Sequence, residues 1–260
     1  MQYSYNATVE SVKDITPEIK LFSISFKDGH KFNFKAGQFA VLALPDDKNN
    51  LDGTWYPRAY SITSAPSQDL VEFYIVLVKE GKLTPRLFEL KSGDSIYMKE
   101  QPAGLMNFDS VKDDANLLFI STGTGIAPFI SILREHKDTI FNGKRQVAVI
   151  HGARHSYELG FKGELEELQK KSPYFRYYPV VSRSEQEVGI EWKGYKGHAQ
   201  DLILNGIIEK DFRTKITSDD FHVFLCGNSR MVDETVEIFL DKGFKRHTIK
   251  ENGNLHFDKH

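Results

Sequence analysis

The sequence predicts two domains of different class: a small antiparallel β-barrel over residues 1–108, followed by an α/β domain over residues 109–260 with a Rossmann-like parallel sheet. Three observations predict this. The chain has 260 residues, more than one compact core usually holds. Up to about Phe108 it reads as short apolar strands broken by turn signals. From about Val111 strand-like runs alternate with runs of helical spacing.

In the first half, residues 9–15, 20–26, 38–44, 59–62, 71–78 and 95–99 are rich in Val, Ile, Phe, Tyr and Thr. Turn sequences such as Lys27-Asp28-Gly29, Pro45-Asp46-Asp47 and Ser92-Gly93-Asp94 separate them. Six strands at this spacing predict a barrel or sandwich, with one short helix over residues 85–90. In the second half, residues 116–120, 146–151, 175–181 and 222–226 are the strands. Residues 128–136, 163–171, 198–209 and 231–242 are the helices, and Gly243 supplies a C-terminal stop. Strand–helix alternation implies a parallel sheet covered on both faces. The boundary is expected in the acidic stretch 109–114.

Composition narrows the function classes. The chain is 40% hydrophobic and 27% charged with a net charge of −2, so disorder is excluded and nothing draws it as a whole to nucleic acid or membrane. No apolar run approaches the roughly 20 residues that cross a bilayer. The start lacks a basic n-region and an apolar h-region, so the expected location is cytoplasmic. A single cysteine, Cys226, allows no internal disulfide and no all-cysteine metal or iron–sulfur site; no metal is predicted.

In open parallel sheets ligands bind beyond the carboxyl ends of the strands, and four motifs stand there. Ser121-Thr122-Gly123-Thr124-Gly125-Ile126-Ala127-Pro128 follows the first strand of the second half. Its glycines let backbone N–H groups approach a phosphate, and Pro128 suits the first turn of a helix; read alone, it is also an ordinary tight connection. Ala153 and Arg154 follow one strand, and Ser182 and Arg183 the next. Two arginines so placed form a phosphate site, whereas a single one is usually solvated. Cys226-Gly227-Asn228 ends the last strand as either a buried thiol before a turn or a polarisable group beside a reacting ring. In the barrel half, Arg58-Ala59-Tyr60-Ser61 combines a pyrophosphate-matching guanidinium, a stacking ring and a short hydroxyl.

Together and in this order, these motifs resemble the ferredoxin–NADP reductase superfamily, and within it the bacterial ferredoxin (flavodoxin)–NADP reductases. Glu80-Gly81-Lys82-Leu83-Thr84-Pro85-Arg86-Leu87, Gly93-Asp94, His151 to Arg154 and Cys226 to Met231 extend the resemblance over nearly the whole chain. It implies an FAD-binding barrel and an NADP-binding α/β domain whose C-terminal tail returns to the flavin. By resemblance, Arg58 binds the FAD pyrophosphate, Tyr60 packs on the isoalloxazine and Ser61 lies near flavin N5. Lys82, Leu83 and Thr84 contact the pyrophosphate, and Thr122 borders the flavin ahead of Gly123, Thr124 and Gly125. Cys226 sits by the nicotinamide with Gly227, Asn228 and Met231. Arg154 and Arg183 meet the adenosine-side phosphate.

Two departures matter. Relatives often carry Gly-Arg where this chain has Gly197-His198, so a retained but moderated preference for NADPH is expected. Relatives also end on an aromatic residue over FAD; here Phe257 takes that position, expected against adenine, with His256 toward the isoalloxazine. The implied activity is hydride transfer from NADPH to flavin, then single-electron delivery to ferredoxin or flavodoxin by a monomer. Carriers of this kind are usually acidic, so Lys79, Lys82, Arg86 and Lys91 are expected to form a docking patch. Competing readings are the reductase component of an oxygenase system and a non-enzymatic redox sensor; retention of residues 226–228 speaks against the sensor.

Overall fold

The computed structural model describes residues 3–47, 52–141, 143, 145–187, 189 and 191–259. It divides into two compact units: Met1–Asn107 with Ala127–Glu135, and Phe108–Ile126 with His136–His260.

The first unit holds β1 (Ala7–Thr16), β2 (Ile19–Phe26), β3 (Phe39–Pro45), β4 (Trp55–Ser61), β5 (Val71–Val76) and β6 (Ser95–Met98) in the order β4-β3-β6-β1-β2-β5. Every pairing is antiparallel, and a bridge between Ile62 and Phe73 joins the two edges into a barrel. Because side chains alternate across a strand, Val9, Phe22 and Ile24, Leu42, Phe73 and Ile96 all enter one core, each 1% exposed or less. Such a side chain gains about 1.5–3 kcal/mol on burial, which holds strands that are short individually. α1 (Thr84–Glu89) opens with a proline in its first turn and buries Leu87 in that core.

α2 (Ala127–Glu135) also belongs to this unit. Ser131 Oγ donates to the Ser64 carbonyl at 2.6 Å, and Arg134 pairs with Glu72 at 2.8 Å.

The second unit holds β7 (Asn116–Thr122), β8 (Val147–Ala153), β9 (Phe175–Val181), β10 (Tyr195–Lys196), β11 (Phe221–Gly227) and β12 (Leu255–Lys259), all parallel, in the order β10-β9-β8-β7-β11-β12. The chain enters at β7, runs outward to β10, then crosses back to β11. β7 and β11 therefore flank the switch point of the sheet, where such folds bind ligands. β11 is buried along its whole length, as a central parallel strand should be. The helices are α3 (Lys137–Ile140), α4 (Lys162–Lys171), α5 (Asp201–Leu204), α6 (Ile207–Phe212) and α7 (Ser229–Asp241).

One local expectation is corrected, and β10, α3 and β12 are elements beyond those expected. The single helix over 198–209 is two, because Gly206 turns left-handed at φ 64° between them. The two-residue strand β10 and the one-turn helix α3 carry too little periodicity to be read from sequence. The C-terminal tail is a strand of the parallel sheet, from Leu255 beside Val223 to Lys259 beside Gly227.

Candidate functional site

In the first unit, Arg58, Ala59, Tyr60 and Ser61 lie on β4. Arg58 is exposed, and its guanidinium donates only to the Pro57 carbonyl, at 2.7 Å. No carboxylate pairs with it among the described residues. Tyr60, two positions on, shares its face; burial raises its phenol pKa and keeps the hydroxyl protonated. Neither the Tyr60 nor the Ser61 hydroxyl has a hydrogen-bond partner among the described residues, although Ser61 is only 8% exposed. A charged fork, a protonated ring hydroxyl and a sheltered serine, all uncommitted on one strand, fit a planar polar ligand with an attached phosphate. FAD is such a ligand.

The segment before α1 offers less side chain than expected. Leu83 is in the core, and Thr84 Oγ1 both donates to the Val78 carbonyl and accepts from its N–H, at 3.0 and 2.9 Å. Only Lys82 is exposed. The expected basic patch is also partly committed. Lys79 pairs with Glu18 at 2.7 Å and Arg86 with Asp46 at 2.5 Å, which leaves Lys82 and Lys91 without ion pairs among the described residues.

In the second unit, the turns after β7 and β11 interlock. Gly123 has φ 54° and no atom within 4 Å of where a Cβ would stand, so its surface is open. A Cβ on Gly125 would come within 2.4 Å of the Cys226 carbonyl oxygen, and one on Gly227, at φ 134°, within 2.4 Å of Thr122 Oγ1. Thr122 Oγ1 accepts from Asn228 N–H at 2.9 Å. The Asn228 side chain caps α7 by accepting from Arg230 and Met231 N–H. Thr124 is half-exposed; Cys226 is fully buried and Met231 nearly so.

His151 was not a predicted site residue, and it holds this turn from beneath. It is fully buried, with Nε2 3.0 Å from the Gly123 carbonyl and Nδ1 3.5 Å from the Tyr177 hydroxyl. Burial drives its pKa down to about 4, so the ring is neutral, donates from Nε2 to Gly123 and leaves Nδ1 to accept. A buried histidine inside an apolar strand carries no sequence signal of its partner.

The two predicted arginines come together. Arg183 N–H donates to the Arg154 carbonyl at 2.9 Å and Ser182 N–H to the Ala153 carbonyl at 3.0 Å. Gly197 N–H donates to the Val181 carbonyl, which brings the exposed Lys196 and His198 to the same strand ends. Arg183 has no carboxylate partner among the described residues. Arg154 is held by Glu158, four residues on, at 2.9 Å.

The tail differs from expectation. His256 is 2% exposed, stacked on Phe224 at 4.4 Å between centroids and 3.2 Å from His222 Nδ1. It faces the interior of its own unit because strand alternation places it opposite Phe257. Phe257 is half-buried against the other face of the sheet, with the Arg246 guanidinium 5.8 Å from its ring. Among the described residues there is no cluster of His, Cys, Asp or Glu suited to a metal, and no helix is long and apolar enough to cross a membrane.

Comparison with known proteins matches both units. Residues 6–108 match the oxidoreductase FAD-binding domain family and residues 119–237 the oxidoreductase NAD-binding domain family. A flavodoxin/ferredoxin–NADP reductase of Buchnera aphidicola subsp. Schizaphis graminum is 34% identical over 229 residues, 85% of this chain and 86% of that one. Its Escherichia coli K12 counterpart is 36% identical over 203 residues, 78% and 77% of the two chains. A crystal structure of a Neisseria gonorrhoeae ferredoxin NADP+ reductase with bound FAD and NADP aligns over 100% of this chain and 99% of that one, at 30% identity and a TM-score of 0.83.

Proposed function

The chain belongs to the flavodoxin/ferredoxin–NADP reductase family, and from that premise we propose that it is an FAD-dependent oxidoreductase moving electrons between NADPH and a ferredoxin or flavodoxin. The observation that carries this reading is the presence on one chain of two polar ligand surfaces. One is Arg58, Tyr60 and Ser61 on β4; the other is the Gly123–Gly125 turn with Arg154 and Arg183. Bound FAD would supply the redox chemistry, hydride acceptance from NADPH and single-electron release.

The chain's own residues bind and orient. Arg58 pairs with the FAD pyrophosphate, Tyr60 offers its ring to the isoalloxazine, and Ser61 presents a hydroxyl to the flavin edge near N5. Ala59 keeps the strand surface between them low. Lys82 adds a positive charge near the pyrophosphate, while Leu83 and Thr84 supply backbone from a segment pinned to Val78. On the other unit, backbone N–H groups of residues 122–125 approach the NADP diphosphate, and Arg154 with Arg183 receives the 2′-phosphate, Ala153 and Ser182 spacing the two loops. Gly227 and Asn228 shape the nicotinamide end above the buried Cys226 and Met231. Phe257, not His256, is the aromatic residue of the tail with an accessible face.

His198 stands where relatives often carry an arginine, so the fork that matches a phosphate is missing there, and Glu158 already engages Arg154. The preference for NADPH over NADH is therefore present and moderate. We place the protein in the cytoplasm as a monomer of 29.8 kDa; a single light-scattering mass near that value tests the oligomeric state. Steady-state reduction of purified flavodoxin or ferredoxin tests the activity. Carrier-dependent turnover with a higher kcat/KM for NADPH than for NADH is expected. Equal or better use of NADH, or turnover indifferent to added carrier, contradicts the assignment.

A further inference from the structure

The second unit contains a cavity at the end of the sheet opposite the proposed nucleotide site. About 300 Å³ in volume, it is lined by Ser110 and Lys112 ahead of β7, Ser218 and His222 around the start of β11, and Lys245 and Asn252 between α7 and β12. Cys226 stands four residues beyond His222 on β11, about 13 Å away, and Thr122 ends β7 six residues beyond its start, about 20 Å. No residue assigned above lines this cavity.

Its chemistry is lopsided. Lys112 and Lys245 are exposed at the rim, and neither ammonium has an ion-pair partner among the described residues. Asp219 is the carboxylate in the lining. Further in, Arg145 is 2% exposed, and its Nε and Nη1 are buried without hydrogen-bond partners while Nη2 donates to the Lys112 and Asp113 carbonyls. Asp113 and Asp114 offset part of the Arg145 charge, while two of its guanidinium nitrogens stay unsatisfied beside the Lys112 segment that lines the cavity. Lys112, His247 and Arg145 all act on His222 to disfavour its protonation, adding to burial.

His222 is the group aimed at the space. It is 6% exposed and lines the cavity, and its Nδ1 is 3.2 Å from His256 Nε2. Its Nε2 has no partner among the described residues. When His256 donates to Nδ1, His222 presents Nε2–H to the cavity. A sheltered imidazole donor, two rim ammonium groups and the Ser218 hydroxyl, which has no hydrogen-bond partner among the described residues, answer a compact oxyanion. The volume sits at the lower end of small-molecule sites and exceeds the need of a bare anion. We propose that this cavity binds the phosphate group of a small phosphorylated metabolite of about monosaccharide size, with Lys112 and Lys245 pairing to the phosphate and His222 donating from Nε2.

The test uses full-length holoprotein with histidines labelled at 13C-ε1 and saturating NADP+ present throughout, so that the nucleotide site is filled. Ribose 5-phosphate and inorganic phosphate are titrated separately at constant ionic strength, and the His222 resonance, assigned with H222Q, is followed. Saturable movement of that resonance by ribose 5-phosphate, at least tenfold tighter than by inorganic phosphate and at least tenfold weaker in the K112Q/K245Q double variant, is expected. Steady-state NADPH oxidation by that variant should be unchanged, since neither lysine belongs to the proposed machinery. Inorganic phosphate binding as well as the sugar phosphate would overturn the metabolite. A His222 resonance that neither compound moves saturably, or that moves equally in the double variant, would overturn the site.

Discussion

Single residues at the two surfaces carry separable effects. Replacing Arg58 with alanine removes a charge-assisted contact of about 1.5–3 kcal/mol to a phosphate oxygen, so FAD should dissociate roughly tenfold to a hundredfold more readily. Flavin fluorescence during reconstitution of the deflavinated protein measures this; unchanged affinity would remove Arg58 from the site. His151 acts differently, since among the described residues its ring nitrogens bond only the Gly123 carbonyl and the Tyr177 hydroxyl. H151F removes both hydrogen bonds and should cost about 1–3 kcal/mol of stability. It should raise KM for NADPH more than it lowers kcat.

His151 also sets a pH dependence. Its pKa falls from 6.5 to about 4 on folding, as does that of His222. The unfolded chain therefore binds more protons than the folded one between those values, so stability is full above pH 6.5 and declines as pH falls toward 4. Each imidazole contributes a loss of about 1–2 kcal/mol by pH 5. Urea unfolding at pH 7.5 and pH 5 should show it, and H151Q should flatten part of the slope. A slope unaltered in H151Q would mean that His151 is not buried neutral.

At the scale of elements, the turns after β7 and β11 are built so closely that only glycine fits. G125A would drive a methyl group into the Cys226 carbonyl, so both turns must shift. Nucleotide affinity should fall at least tenfold while bound FAD stays, measured by NADP+ difference spectra; wild-type affinity would deny that the turn holds the nucleotide. The tail is a second such element. Because β12 completes the sheet beside β11, deleting residues 256–260 should lower the midpoint of thermal unfolding. An unchanged midpoint with weakened FAD binding would instead favour a tail that serves only the flavin.

These elements also show how much the sequence discloses. The barrel strands and the core strands of the sheet were legible because alternation or continuous apolar runs mark them, and Gly123, Gly125 and the arginines were legible because they follow such runs. β12 was not, since its five residues alternate His, Phe and Asp behind Leu255 and gain their identity only by pairing with β11. The break at Gly206 hid inside apolar spacing that fits one helix as well as two. The pin from His151 to Gly123 spans 28 residues, and the burial of His256 depends on Phe224 and His222; tertiary contacts of this kind leave no mark in local spacing.

For the molecule as a whole, one chain brings FAD and NADPH into one redox reaction and serves a separate carrier. With Lys79 and Arg86 already in ion pairs, the electrostatic attraction for an acidic carrier rests on fewer charges than the sequence implied. Carrier reduction should therefore slow only a few-fold between low and physiological ionic strength. This redox reaction is tested most directly by anaerobic titration of the purified protein with NADPH while its visible spectrum is recorded. The account predicts a flavin absorption band that bleaches at about one equivalent of NADPH. A colourless protein that FAD does not reconstitute, or a flavin band that NADPH leaves unbleached, would contradict it.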